Sequence, residues 1–273
     1  MISFPYAKIN IGLNILRKRE DGFHEIETVF YPIKLCDILE IVENPKGSHM
    51  PLFHNTGILI DAPIDKNLCV KAYRLLKEDY KLPEISIHLH KIIPIGSGLG
   101  GGSSDAAHTL ILLSRLFSLD IKISALKEYA AKIGSDCAFF IENKTSFARG
   151  RGEILRPINF DLSGWFLVLV KHQVQISTSE AYKFAIPKIP VRNLSESIFL
   201  IPENWNGIIQ NDFENYLFVN YPELKEIKEK LYKLGAVYAS MSGSGSTIFG
   251  LFRNEVDLNY QFNNCFVWSD ILS

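Results

Sequence analysis

The stretch GSGLGGGSS at residues 96–104 constrains this chain more than any other, with five glycines and three serines in nine positions. A run of that composition can serve as a flexible linker, but a linker separates domains. Here EISIHLHK (84–91) alternates apolar and polar residues as a strand with one face toward solvent,. On the other side, DAAHTLILLSRLFSL (105–119) is apolar enough to predict a buried helix,. Glycines joining a strand to a helix permit positive φ and close backbone approach, so successive N–H groups can aim at one anion. The helix start adds unsatisfied N–H groups and the positive end of its dipole. Ser103 and Ser104 can cap that helix or offer hydroxyls to a phosphate or to Mg²⁺. The run therefore predicts a phosphate cradle.

Two familiar cradles do not fit. A P-loop requires GxxxxGK[ST], and no lysine follows these glycines,. Gly96, Gly98 and Gly101 satisfy GxGxxG literally, with Asp120 downstream. A dinucleotide-binding strand is buried and apolar, however, whereas this one carries His88 and His90, and no strand leads into Asp120,. His88 and His90 share a strand face, as a metal pair would, but no third ligand is evident and they read as surface residues,.

Net charge is −1 over 273 residues, so no basic field calls for nucleic acid or an acidic membrane surface,. The basic cluster Arg17-Lys18-Arg19 and the pair Arg149 and Arg151 read as solvated faces,. Cys36, Cys69, Cys137 and Cys265 lie far apart without a CxxC pair, which predicts reduced thiols rather than disulfides or a zinc site,. MISFPYAKIN lacks the apolar core of a signal peptide, and no apolar run approaches the ~20 residues of a membrane helix,. These features predict a cytoplasmic protein. GSHM at 47–50 has the look of a tag remnant but is internal, and reads as native sequence.

In YAKINIGLNIL, Ala7, Ile9, Ile11, Leu13 and Ile15 point one way and Tyr6, Lys8, Asn10, Gly12 and Asn14 the other,. That predicts a strand with one buried and one polar face. The Asp21-Gly22 turn signal and FHEIETVFYPI then predict a hairpin partner, and DILEIVE a further strand,. NLCVKAYRLLKEDY (67–80) has helical periodicity; ALKEYAAKI reads as a helix capped by Ser124 and stopped by Gly134,. After residues 155–160 the pattern resets, with a buried strand in GWFLVLVKH and a helix in PELKEIKEKLYKLG. Two strand-like runs then flank a second Gly/Ser loop in VYASMSGSGSTIFGLF. Alternating strands mixed with helices predict an α+β fold in two domains, 1–155 and 156–273,.

The run PIGSGLGGGSSDAA closely resembles the phosphate loop of the GHMP kinases, and AKINIGL and SMSGSGSTIFG resemble that superfamily's other two motifs, in the same order. Within the superfamily, PYAKINIGLNILRKREDGFHEIETVFYPI, GLGGGSSDAA, IGSDCAFFI, VQISTSEAY and NDFE resemble one branch. Its members phosphorylate a hydroxyl, expected to be the 2-hydroxyl, of 4-diphosphocytidyl-2-C-methyl-D-erythritol in non-mevalonate isoprenoid synthesis. The resemblance spans about residues 1–250. It implies a mixed N-terminal sheet with helices, a smaller ferredoxin-like C-terminal domain, and an active site in the cleft between them. ATP and Mg²⁺ are the implied co-substrate and cofactor; the partner is a small molecule carrying cytidine diphosphate, and the chain a monomer or weak homodimer.

Carried over by residue, the resemblance makes Asp136 the base and Lys8 its electrostatic partner. Read alone, Asp136 is equally a helix cap and Lys8 an ordinary strand lysine. Asn67 and Lys91 are implied near the adenine. Pro94, Ile95, Gly96, Ser97, Gly98, Leu99, Gly100, Gly101, Gly102, Ser103 and Ser104 are implied at the phosphates. Asp105 stands where relatives commonly have Asn, and with Ser104 is a candidate Mg²⁺ ligand. Gly243, Ser244 and Gly245 are implied to close the same site, and otherwise form a plain turn. Phe23 and Tyr182 are implied to sandwich the cytosine, with His24 and Asn10 as polar contacts and Thr178 at the diphosphate. Phe23 replaces the branch's common Tyr, keeping the stack without the hydroxyl; Tyr182 is as readily a core aromatic,. Homoserine- or mevalonate-type GHMP kinases remain open alternatives, although the aromatic–His pair in DGFHEIET suits a nucleobase. A non-catalytic nucleotide-binding module is a further alternative; it would be expected to lose Lys8 or Asp136, and both are present.

Overall fold

The computed structural model describes residues 1–44 and 52–273, so the GSHM stretch at 47–50 lies outside the described residues. The chain divides into two compact units that do not follow a single cut. One comprises Met1–Ala7, Leu35–Ile95 and Gly100–Lys144; the other takes Lys8–Lys34, Gly96–Leu99 and Thr145–Ser273.

The first unit holds strands β1 (Ile2–Ser3), β4 (Ile38–Glu43), β5 (Leu52–Gly57) and β6 (Ile85–Lys91), with helices α1 (Leu68–Tyr80), α2 (Gly101–Leu116), α3 (Ile123–Ile133) and α4 (Phe139–Glu142). Its sheet has the order β1-β4-β6-β5 and is mixed, because β5 runs parallel to β6 while the other pairs are antiparallel. The alternation expected of EISIHLHK is present in β6: Ile85, Ile87 and Leu89 are buried while Ser86, His88 and His90 are half-exposed. Helix α2 packs against α1, α3, α4, β1 and β4. Ala106, Ala107, Leu110 and Leu113 form its buried stripe, the two alanines allowing close approach,.

Two helix starts differ from the sequence reading. Helix α2 begins at Gly101 rather than at Asp105, because the glycines of the loop themselves make the first turn. Helix α3 begins at Ile123 after extended Lys122, so Ser124 sits inside the helix and does not cap it.

The second unit holds two four-stranded sheets. One, β2 (Tyr6–Lys18), β3 (His24–Cys36), β7 (Ser146–Arg149) and β8 (Ile154–Pro157), keeps that order. The predicted hairpin is its first pair, and its turn is tied by Arg19 and Phe23. The other sheet joins β9 (Phe166–Lys171), β10 (Tyr238–Met241), β11 (Thr247–Phe252) and β12 (Phe266–Ile271) in the order β10-β11-β9-β12, antiparallel throughout. Helices α5 (Thr178–Lys183), α6 (Leu194–Ser197), α7 (Glu214–Asn220) and α8 (Pro222–Lys233) complete the unit. Val168 and Val170 of β9 pack with Ile248 of β11 and with Leu224, Ile227 and Leu231 of α8. Every residue of β9 is buried, which requires ladders on both sides. The second ladder comes from β12, in a C-terminal stretch whose sequence carries no clear pattern.

A buried histidine gives the first unit an acid limit. The Ser3 hydroxyl lies 2.6 Å from His108 Nδ1, and burial lowers the imidazole pKa to about 4. The folded state then refuses a proton that the unfolded chain accepts below about pH 6.5. Stability should fall as pH drops from about 6.5 to 4, by roughly 3 kcal/mol across the window,. Denaturant melts of wild type and His108→Gln at several pH values check this; the variant should lose most of that slope.

Candidate active site

In the second unit, three sequence motifs meet at the carbonyl of Gly98. That oxygen accepts hydrogen bonds from Lys8 Nζ at 3.0 Å and from the Ser242 hydroxyl at 3.0 Å. Lys8 also donates to Asn10 Oδ1, and the backbone N–H of Lys8 donates to Leu99. The Asn10 N–H in turn donates to the Ser242 hydroxyl at 3.1 Å, and Asn10 Nδ2 to the Thr28 hydroxyl at 3.0 Å. The polar face of β2 is therefore not solvated as its pattern suggests: Lys8 and Asn10 are each 2% exposed. A buried ammonium and a buried amide need partners, and the two glycine loops supply them.

Glycine is obligatory at the contact. Gly98 has φ +76°, and a Cβ there would stand 2.0 Å from the Ser242 carbonyl oxygen. Gly243 has φ +56°, and a Cβ there would come within 3.1 Å of Asn10 Oδ1 and 3.2 Å of the Gly98 oxygen. The loop 243–245 thus belongs to the same cluster as Lys8, Asn10 and Gly98, and the Ser97 carbonyl accepts from the Thr247 N–H. Gly96 is exposed, with nothing near the position a Cβ would take.

In the first unit, Gly100 at φ +72° enters α2, whose first turn receives no side-chain cap. Its leading N–H groups and dipole favour an anion. Gly101 lies flat against the sheet, where a Cβ would meet Ile93 at 2.8 Å and Lys91 Nζ at 2.9 Å. The Ser103 hydroxyl hydrogen-bonds the Cys137 thiol, which burial raises to about 12. This brings the turn carrying Asp136 beside the start of α2. Asp136 itself is half-buried, and its carbonyl accepts from the Phe139 N–H. Pro94 is buried and Ile95 is 44% exposed. The Ser104 hydroxyl is buried with no hydrogen-bond partner.

Lys91 and Asn67, expected near the adenine, each also hold a structural contact. Lys91 Nζ is held by Asp37 and, at 2.9 Å, by Asp105, all three side chains being buried. Asp37 also accepts from the Ile92 and Ile93 N–H groups. With its ammonium so held, Lys91 can meet an adenine only through its stem or backbone. Asn67 caps α1, its Oδ1 accepting from the Cys69 N–H at 2.9 Å. Three ionised groups would leave the cluster with net negative charge in a dry site; burial raises the Asp105 pKa to about 8, so a proton relieves it,. Asp105 thus gives Oδ2 to Lys91, while its buried Oδ1 has no hydrogen-bond partner.

The hairpin end and α5 form a further group in the second unit. His24 stacks on Tyr182 at 5.1 Å and 16°. That spacing leaves no room for a ring between them, and His24 rather than Phe23 covers that face of Tyr182. Phe23 is 53% exposed with the Arg151 guanidinium 4.8 Å from its ring centre. Thr178 and Ser244 hydroxyls lie 3.3 Å apart, so α5 touches the loop 243–245. Sequence analysis gave no site role to Arg151, read there as a solvated face, to Phe213, which lies in the NDFE motif and meets Tyr182, or to Asp37, which carried no signal. His88 and His90 both bond the Thr56 hydroxyl, at 3.0 and 2.9 Å, and no cluster of three metal-ligating side chains occurs among the described residues.

Two outcomes follow from this geometry. Gly98→Ala should weaken binding of a fluorescent ATP analogue by at least ~10-fold, since left-handed strain and the clash with Ser242 act together,. Asp105→Asn should leave the melting temperature nearly unchanged, whereas Lys91→Met should cost about 3–5 kcal/mol by stranding buried carboxylates,. Calorimetry on both variants checks the asymmetry.

The chain matches two family models, "GHMP kinases N terminal domain" over residues 67–144 and "GHMP kinases C terminal" over 186–259. It is 52% identical to the 4-diphosphocytidyl-2-C-methyl-D-erythritol kinase of Azobacteroides pseudotrichonymphae, over 93% of this chain and 94% of the relative. It is 47% identical to that of Parabacteroides distasonis over the full length of both. A crystal structure of 4-(cytidine 5'-diphospho)-2C-methyl-D-erythritol kinase is 32% identical with a TM-score of 0.74, covering 92% of this chain and 90% of that one. Methanococcus jannaschii mevalonate kinase shares the fold alone, at 14% identity and a TM-score of 0.72, over 100% of this chain and 98% of that one. The chain belongs to the 4-diphosphocytidyl-2-C-methyl-D-erythritol kinase family of the GHMP kinases.

Proposed function

We propose that this protein transfers the γ-phosphoryl group of ATP to the 2-hydroxyl of 4-diphosphocytidyl-2-C-methyl-D-erythritol, a step in isoprenoid precursor synthesis. The observation that carries the reading is the buried knot of Lys8, Asn10, Gly98 and Ser242, which joins all three GHMP motifs through direct hydrogen bonds. Full-length relatives bearing that kinase's name support the choice of substrate. Homoserine- and mevalonate-type kinases share the fold at 14–16% identity, which favours no substrate of theirs.

Phosphoryl transfer requires an oriented hydroxyl and charge compensation on the phosphates. In this reading Asp136 accepts the hydroxyl proton and Lys8 stabilises charge on the transferred group. Residues 96–104 and the uncapped start of α2 receive the phosphates by backbone N–H groups,. Mg²⁺, when bound, would neutralise phosphate charge; the buried Ser104 hydroxyl and Asp105 Oδ1 both lack a hydrogen-bond partner and fit an added ligand there, while Lys91 holds the other oxygen of Asp105. Tyr182, His24 and Phe23 serve the cytosine, Arg151 beside Phe23 suits the diphosphate, and Thr178 joins it from α5. Because His24 lies against Tyr182, the base stacks on the aromatic group as a whole. The chain is proposed to act without nucleic-acid or membrane partners, with a functional boundary near residue 155 and as a monomer or weak homodimer.

ADP release is measured with the cytidyl substrate, homoserine and mevalonate in parallel. Turnover with the cytidyl substrate alone is expected, and Asp136→Asn should lower kcat by at least ~10²-fold with KM for ATP nearly unchanged. Turnover with another acceptor alone would overturn the substrate assignment; unchanged kcat in the variant would remove Asp136 from the base role.

A further inference from the structure

The motif Asn211-Asp212-Phe213-Glu214 has no part in the chemistry above, yet each of its side chains grips a different piece of the site's surroundings within the second unit. The turn is pinned to β2: the Leu13 N–H donates to Gln210, the Asp212 N–H to Leu13, and the Ile15 N–H to Asp212 Oδ2 at 2.9 Å. Asn211, 1% exposed, donates both amide hydrogens, one to the carbonyl of Met241 at the end of β10 and one to that of Gly243 in the glycine loop, each at 2.8 Å. Its Oδ1 accepts from the Phe213 N–H at 3.1 Å. Phe213 is 2% exposed and meets Tyr182 in an edge contact, at 4.9 Å and 85°, while Tyr182 stacks on His24. Glu214 accepts from the Met241 N–H at 2.7 Å and the Ser240 hydroxyl at 3.0 Å, while Lys228 balances its charge at 2.6 Å.

We propose that Asn211 and Phe213 are positioning residues that hold two halves of the binding site from one turn: Asn211 fixes the loop 243–245, and Phe213 fixes Tyr182. The proposal rests on the functional reading above, in which the loop serves ATP and Tyr182 the cytidyl group. The amide of Asn211 is a fork with two donors and one acceptor, and all three are used. Asp has the same shape but faces the two carbonyls with lone pairs, so Asn211→Asp removes the grip on the loop at constant volume. Gly243 itself lies against Asn10 and Gly98, so a shift there reaches the knot that holds Lys8. Phe213→Leu keeps the site apolar and removes the ring edge that Tyr182 meets.

The two substitutions, two residues apart, should therefore have opposite signatures. Asn211→Asp should raise KM for ATP about tenfold, or 1.4 kcal/mol, with KM for the cytidyl substrate changed less than about threefold. Phe213→Leu should raise KM for the cytidyl substrate by a similar factor and leave KM for ATP within that limit. Binding of a fluorescent ATP analogue is measured beside the kinetics, with thermal melting of each variant. Asn211→Ser, which keeps one short donor, replaces Asn211→Asp if the latter does not fold, and should give the same pattern. Equal shifts of both KM values in both variants, or no shift in either, would overturn the proposal in favour of a purely structural turn. If wild type turns over no cytidyl substrate, the functional reading fails, and the nucleotide-binding arm still decides: weakening by Asn211→Asp and not by Phe213→Leu supports the grip on the loop, and any other pattern refutes it.

Discussion

The carbonyl oxygen of Gly98 is the point on which the second unit's polar interior depends. It takes one hydrogen bond from Lys8 and one from Ser242, and so ties the first strand, the first glycine loop and the second glycine loop together. Neither donor is expendable in a buried setting. An ammonium removed from water must be compensated by several oriented oxygens, and the Asn10 amide and the Gly98 carbonyl provide two of them,. Glycine at 98 and 243 follows from the same contact, since the backbones approach until no Cβ fits between them. The glycines therefore fall into two groups, Gly96 being exposed with open space around it and Gly98 and Gly243 packing backbone against backbone.

That distinction explains what the sequence made legible. Element type was plain wherever burial is one-sided: β6 alternates because one face is buried and the other half-exposed, and α1 and α8 carry apolar stripes for the same reason. Where both faces are covered, the pattern misleads. The polar face of β2 reads as solvated because nothing local to that strand announces the loops, more than eighty and more than two hundred residues away along the chain, that cover it. β12 is silent for the opposite reason: its pattern is weakly apolar, and its existence follows from the need of buried β9 for a second ladder,.

The site residues divide along the same line. The loop glycines, Lys8 and Asp136 sit in local motifs, which is why the sequence singles them out. Lys91 cannot, because its meaning depends on Asp37 and Asp105, brought to it by β4's approach and by α2. A lysine at a strand end beside a phosphate loop reads as a ligand contact; once two buried carboxylates flank it, its first duty is charge balance inside the unit. Asp105 is the informative partner. Asn at that position would leave a neutral Lys91–Asp37 pair, whereas Asp adds a surplus charge that a bound proton offsets,.

Specificity within this fold then rests on small departures from a shared frame. Mevalonate and homoserine kinases keep the architecture at 14–16% identity, so the frame alone selects no acceptor,. The present chain carries an aromatic series, His24 on Tyr182 and Tyr182 on Phe213, ending in a turn that also holds the second glycine loop. Aromatic rings in offset and edge contact lose freedom to tilt, because both arrangements depend on ring orientation. A planar base offered to such a group meets a surface whose orientation is already set, which lowers the ordering cost of binding. The same turn reaches the Gly243 carbonyl through Asn211, so the aromatic series and the second glycine loop share one anchor.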